Sequence, residues 1–203
     1  MRLTQWGAVL IGATTLLLTA CTVVDLDENG RPIMPADPNA KPSFDNLSAE
    51  QIAQQTWQTH VIGPAHEKAL DANALQAQLT AASGPAKSVF VQLNTTVNTV
   101  NLSDSRDHNI TITLNGQPLA IHLGPIIRGN AIRDAAGFKF DDFTNQVQFA
   151  QLSKAYNRYT VKQLPAVDES WAGKSATVLF AVTLNNGALK DATALELKQE
   201  AQP

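Results

Sequence analysis

Apolar positions change texture several times along this chain. The first texture is a block, Trp6-Gly7-Ala8-Val9-Leu10-Ile11-Gly12-Ala13-Thr14-Thr15-Leu16-Leu17-Leu18, set behind a single cation at Arg2 and ahead of the small residues Thr19 and Ala20. That is the layout of an export signal. The block is shorter than the about 20 apolar residues of a membrane-spanning helix, and no cationic stop-transfer flank follows it, so residues 1–20 are expected to be removed. From residue 21 to residue 43 periodicity vanishes. Pro32, Pro35, Pro38 and Pro42, interspersed with Asp25, Asp27, Glu28 and Asp37, predict an extended tether, with the alternative that part of it packs as a strand along the folded domain.

Helical spacing begins at Ser48. Ser48 and Gln51 form a capping-box signature, with Leu47 and Ile52 placed as a hydrophobic staple. A helix is expected from Ala49, carrying Ile52, Ala53, Thr56 and Trp57 on one face and losing regularity between His60 and Pro64. A second helix is expected from Pro64 to Ala82, on the spacing of Leu70, Ala74, Leu75 and Leu79, stopped by Ser83-Gly84-Pro85. Residues 44–84 thus form a helical layer. From residue 85 β-branched residues alternate: Val89 to Leu93, Val97 to Leu102, then Ile110 to Leu114 and Leu119 to Leu123 around Asn115-Gly116. Asn-Gly between two such runs is a strong hairpin signal, since both residues tolerate positive φ. Pro118 puts the start of the returning strand at an edge. Short and longer helices are expected at Asn130 to Ala136 and Leu152 to Leu164, the latter lying across the sheet. Ser175 to Leu184 is a nearly continuous apolar strand, Asn185-Asn186-Gly187 a turn, and Thr193 to Lys198 the last strand. With no βαβ repeat, residues 44–203 read as a single α+β domain, a curved antiparallel sheet or small barrel with an N-terminal helical layer and one or two further helices.

Charge adds exclusions. The chain has 203 residues and a formal net charge of −3; without residues 1–20 it keeps 183 residues, 14 basic and 18 acidic, for a net charge of −4. A small negative value without a basic cluster gives no footprint for nucleic acid. Cys21 is the lone cysteine, so no intramolecular disulfide can form. Leu18-Thr19-Ala20-Cys21 resembles the lipobox of bacterial lipoproteins, which implies cleavage before Cys21, acylation of its thiol, and attachment to a membrane through lipid. An ordinary secreted protein with a leftover cysteine is the alternative. Thr22, where an aspartate could stand, is similar to the pattern of lipoproteins sent to the inner leaflet of the outer membrane.

Most chemical motifs fail on spacing. Asp25-Leu26-Asp27-Glu28-Asn29-Gly30 starts like a calcium loop, but the twelfth position is Ala36 and two prolines intervene. Gly173-Lys174-Ser175 leads into a strand and lacks the earlier glycine of a phosphate loop. His60, His66, His108 and His122 have no zinc-type spacing, and no Gly-x-Ser-x-Gly elbow exists. No metal or cofactor is implied. The densest stretch runs from Gly124 to Gln146, with two arginines, three aspartates, two asparagines and three phenylalanines in 23 residues. Arg128, Asn130, Arg133, Asp134, Asp141, Asp142 and Asn145 are the candidates for holding a ligand or partner. A structural network is the preferred alternative, with Arg128 or Arg133 pairing to Asp134, Asp141 or Asp142 around a barrel mouth and the phenylalanines filling the barrel.

The lipobox, Val23-Val24-Asp25, and above all Leu123-Gly124-Pro125-Ile126-Ile127-Arg128-Gly129 through Arg133-Asp134 to Phe140-Asp141-Asp142-Phe143-Thr144-Asn145-Gln146 resemble a family of predicted periplasmic bacterial lipoproteins of unknown function. The resemblance covers most of the chain, departing at Asp107-His108-Asn109. It implies a small OB-like barrel with added helices and an accessory role at the cell envelope, beside sugar-type ABC importers. The expected function is therefore a non-enzymatic, lipid-anchored module facing the periplasm that binds a small polar solute or an envelope protein such as an importer component. An envelope hydrolase whose site assembles only in the fold is the alternative.

Overall fold

The computed structural model describes residues 44–81, 84–143 and 145–200. The export signal, Cys21, the tether and the acidic turn at Asp25 lie outside the described residues. Among those residues no helix is long and apolar enough to cross a membrane.

Helix α1 (Ala49–Thr56) starts where the capping box predicts: Ser48 Oγ accepts the Gln51 N–H at 3.2 Å, and Gln51 Oε1 accepts the Ser48 N–H at 2.8 Å. Leu47 packs on the core beside fully buried Ile52. At Trp57 the helix widens into a π-helical turn, Trp57–Ile62, and runs on into α2 (Gly63–Lys68) with Pro64 in its first turn. The irregularity expected near His60 is thus a change of winding and not an end. The single helix expected from Pro64 to Ala82 is instead two, α2 and α3 (Ala72–Ala81). Its interruption has a backbone cause. Leu70 donates to the Phe90 carbonyl and accepts from the Gln92 N–H, bridging to the sheet, and Asp71 Oδ1 then takes the Ala74 N–H at 2.7 Å to restart the helix.

Five strands close a barrel in the order β1-β2-β3-β5-β4. They are β1 (Lys87–Asn101), β2 (Asp107–Leu114), β3 (Gln117–Pro125), β4 (Ser175–Asn185) and β5 (Ala188–Gln199). The two runs at Val89 and Val97 are one strand, because a register shift between Val97 and Thr99 bends β1 so that its first part pairs with β4 and its end with β2. Asn115 and Gly116, at φ 52° and 75°, make the predicted hairpin turn. Pro118 pairs with Thr113, and β3 meets β5 further along, in parallel, at His122 and Thr193, so the proline sits on an edge. Closure by that one parallel contact gives the small OB-like barrel that the resemblance implies.

The sheet is apolar on both faces. Val91, Ile110, Ile112, Ile121, Val178 and Phe180 fill the barrel with no exposure, while Phe90, Leu179, Ala181 and Leu195 point outward. This explains the unbroken apolar run of β4, whose alternate residues serve two cores. α1, α4 (Ala131–Ala135) and α5 (Gln146–Gln163) cover the outer face through Ile52, Trp57, Ile132, Leu152 and Tyr156. Phe138 and Phe143 join this helical layer, where Phe143 stacks on Phe44 at 5.2 Å, and Phe140 is 45 % exposed. The phenylalanines therefore do not fill the barrel as expected, since the α4–α5 connection lies on the outer side of the sheet.

Inside that layer Thr56 Oγ1 donates to the Ile52 carbonyl, so the Tyr156 hydroxyl donates to Thr56. Burial holds the Tyr156 phenol well above its ordinary pKa of 10.0, and the bond to Thr56 lowers it only in part. The folded chain keeps a proton that the unfolded chain releases, so the stability this supplies is full below about pH 10 and is lost above it at up to about 1.4 kcal/mol per pH unit. Tyr156→Phe is expected to cost about 1 kcal/mol at neutral pH yet to flatten the fall in urea midpoint above pH 10. A fall as steep as that of the unmodified chain would refute this.

Candidate functional site

The motif that follows β3 is shaped by two glycines. Gly124 has φ +113°, and a Cβ there would lie 2.6 Å from Val161 Cγ2 of α5; Gly129 has φ +89°, and a Cβ there would lie 2.6 Å from the Asp191 carboxyl. Side chains are excluded at both points. Gly124 thus lets the chain pass close to α5, and Gly129 lets it pass close to β5. Asn157 fastens this segment, donating from Nδ2 to the carbonyls of Ile127 at 3.3 Å and Gly129 at 3.1 Å. The Ile126 N–H is taken by the Arg106 carbonyl at 3.0 Å.

Between this segment and α5 is a cleft of about 490 Å³, lined among others by Ile126, Arg128, Ser153, Lys154, Asn157 and Arg158. Its volume is that of a small-molecule site. Ser153 is 3 % exposed, and its hydroxyl has no hydrogen-bond partner among the described residues. A buried polar group left unsatisfied costs about 1–3 kcal/mol. Arg128 and Lys154 have no carboxylate partner among the described residues, whereas exposed Arg158 meets exposed Glu50 at 3.1 Å, a pair that contributes little.

The sequence candidates divide. Arg128 and Asn130 line the cleft. Arg133 is buried: its Nε and Nη2 bind Asp134 Oδ1 at 2.8 and 2.7 Å, Nη1 donates to the Phe149 carbonyl, and the guanidinium lies 3.8 Å from the Phe149 ring centre. Asp142 accepts the Lys139 N–H at 2.9 Å, and Asn145 accepts the Val147 N–H at 2.8 Å to cap α5. Asp141 is exposed on the short helical turn Phe140–Asp142. The network of the structural alternative thus exists for Arg133 and Asp134 but does not include Arg128. Ser153, Lys154, Asn157 and Arg158 were not among the candidates. Their signal was a serine and an asparagine four apart on the same α5 stripe as apolar neighbours, positions that burial makes costly unless something binds them.

Two other polar groupings stand apart from the cleft lining. His122 Nδ1 meets Asp107 Oδ1 at 2.6 Å across β2 and β3, and Thr59 Oγ1 meets His60 Nδ1 at 2.9 Å. Among the described residues no three His, Cys, Asp or Glu side chains gather as a metal site.

A family model described as "Predicted periplasmic lipoprotein (DUF2291)" matches residues 11–198. No curated protein matches the chain. The family match runs through the whole of β3, the glycine-shaped segment and α5, so the cleft lies inside it.

The two arginines are expected to behave oppositely. Arg133→Ala removes a buried guanidinium bonded through all three of its nitrogens and should lower stability by roughly 1–3 kcal/mol, whereas Arg128→Ala should change it by less than about 0.5 kcal/mol. Chemical denaturation of both variants checks this, and equal losses would contradict the assignment.

Proposed function

The chain belongs to this family of predicted periplasmic lipoproteins, and we propose that it is a non-enzymatic module, held on a membrane by lipid at Cys21, that binds a small polar solute in the cleft beside α5. The observation that carries the reading is the buried Ser153 hydroxyl, left without a partner among the described residues on the α5 side of a cleft whose other wall Asn157 and two glycines hold in place. A wall so constrained is pre-organised, which reduces the ordering cost of binding. Of the candidate face from Arg128 to Asn145, this reading keeps Arg128 and Asn130 and assigns Arg133, Asp134, Asp142 and Asn145 to architecture. The resemblance implies an accessory role at the cell envelope beside sugar-type ABC importers, delivery of the solute to such an importer is the role proposed for the module, and Thr22 supports an address on the outer membrane's inner leaflet.

Two experiments test the proposal. Ala150 lines the cleft on α5, so Ala150→Trp should occupy it. Ligand-observed NMR on the full-length protein in detergent is expected to find a small polar solute that binds the unmodified chain and binds the Ala150→Trp variant at least about tenfold more weakly. Absence of any binder, or binding untouched by the substitution, would reject the cleft. For the anchor, Cys21→Ser should abolish incorporation of labelled palmitate; label retained in that variant would reject Cys21 as the acylated residue.

A further inference from the structure

We infer that the solute carries a compact oxyanion, a carboxylate or a phosphate, gripped by Arg128, Lys154 and the Ser153 hydroxyl; this rests on the solute-binding reading of the same cleft. The first argument is sign. The chain carries a net charge of −3, yet the cleft lining includes Arg128, Lys154 and Arg158 and no Asp or Glu. Cations concentrated at one concave site of an otherwise acidic molecule create a local potential that draws anions. Two neighbouring carboxylates do not cancel it: Glu50 is engaged with Arg158, and Asp191 packs against Gly129 without lining the cleft.

The second argument is the donor set. Ser153 lines the same cleft as Arg128 and Lys154, and a serine hydroxyl without a partner among the described residues is suited to donate to an oxygen that already carries charge, a charge-assisted bond about twice as strong as a neutral one. A guanidinium matches the geometry of a carboxylate or phosphate and an ammonium adds a point charge, whereas the hydroxyls of a neutral sugar need acceptors as well as donors. The third argument is the apolar part of the lining. Pro125, Ile126, Ile127 and Ala150 are apolar, and Ile126 is 53 % exposed. An anion attached to a small carbon skeleton would cover it.

Calorimetry on the full-length protein in detergent, with glucose 6-phosphate, gluconate and glucose as probes, tests the inference. Glucose 6-phosphate or gluconate should bind at least about tenfold more tightly than glucose, and the advantage should shrink as salt rises. Arg128→Ala and Lys154→Ala should each weaken the anion by at least about fivefold. Ser153→Ala should weaken it too without lowering the melting temperature, because the hydroxyl has no partner to lose among the described residues; this separates a ligand contact from a structural role. Glucose bound as tightly as the anions, and lost in Ala150→Trp, overturns the oxyanion while leaving the solute cleft intact. No binding of any probe overturns the oxyanion outright. Dihexanoyl phosphatidylglycerol distinguishes the sources of a phosphate: binding tighter than glucose 6-phosphate assigns it to a lipid headgroup, and weaker binding to a free solute.

Discussion

A small barrel that is already full inside, but still apolar outside along Phe90, Leu179, Ala181 and Leu195, has to be covered. Each square ångström of that face left in water costs about 25 cal/mol, so β1, β4 and β5 cannot stand as an isolated sheet. The chain meets this constraint from both sides of its sequence. α1 with its π-helical continuation comes from before the barrel, and α4 and α5 come from the β3–β4 connection. Tyr156 and Trp57 meet where the two contributions join, 6.1 Å between ring centres. The position of α5 is therefore dictated by the sheet, and the cleft is what remains between that helix and the chain leaving β3.

Polar groups along α5 divide the labour. Thr160 Oγ1 donates to the Ala194 carbonyl at 2.7 Å and ties the helix to β5, while Asn157 ties it to the segment after β3. One turn earlier Ser153 ties it to nothing among the described residues. Arginines divide in the same way: Arg133 uses Nε, Nη1 and Nη2 on its own fold, and Arg128 stands on the cleft wall. Buried polar groups that are fully satisfied specify a structure; those that are not mark where something else has to be supplied.

Much of this was legible wherever side-chain chemistry dictates backbone. The capping box at Ser48, the Asn115-Gly116 turn and the two-faced apolar run of β4 each carry their cause in adjacent residues. Barrel closure was an alternative to a curved sheet on the residues alone, since a single contact between His122 and Thr193 closes it and leaves no pattern to see. The break at Leu70 was hidden for a similar reason: backbone atoms make its bridge to β1, and its side chain fits the helical spacing on either side. At the candidate site, the motif from Gly124 to Gln146 mixes capping, burial and cleft residues, because Arg128 and Arg133 differ in environment and not in type. The cleft wall on α5 reads in sequence as ordinary helix.

One side chain joins the start of the described chain to the helix beside the cleft. Gln148 Nε2 donates to the carbonyls of Phe44 and Leu47, at 2.9 and 2.7 Å, and so rivets the first described residues to the opening turn of α5. Any pull transmitted along the chain from before residue 44 arrives at this helix ahead of the barrel. Phe44 also packs on Phe138 and Phe143, so mechanical load on the N-terminal side is felt in the same helical layer that supplies one wall of the cleft.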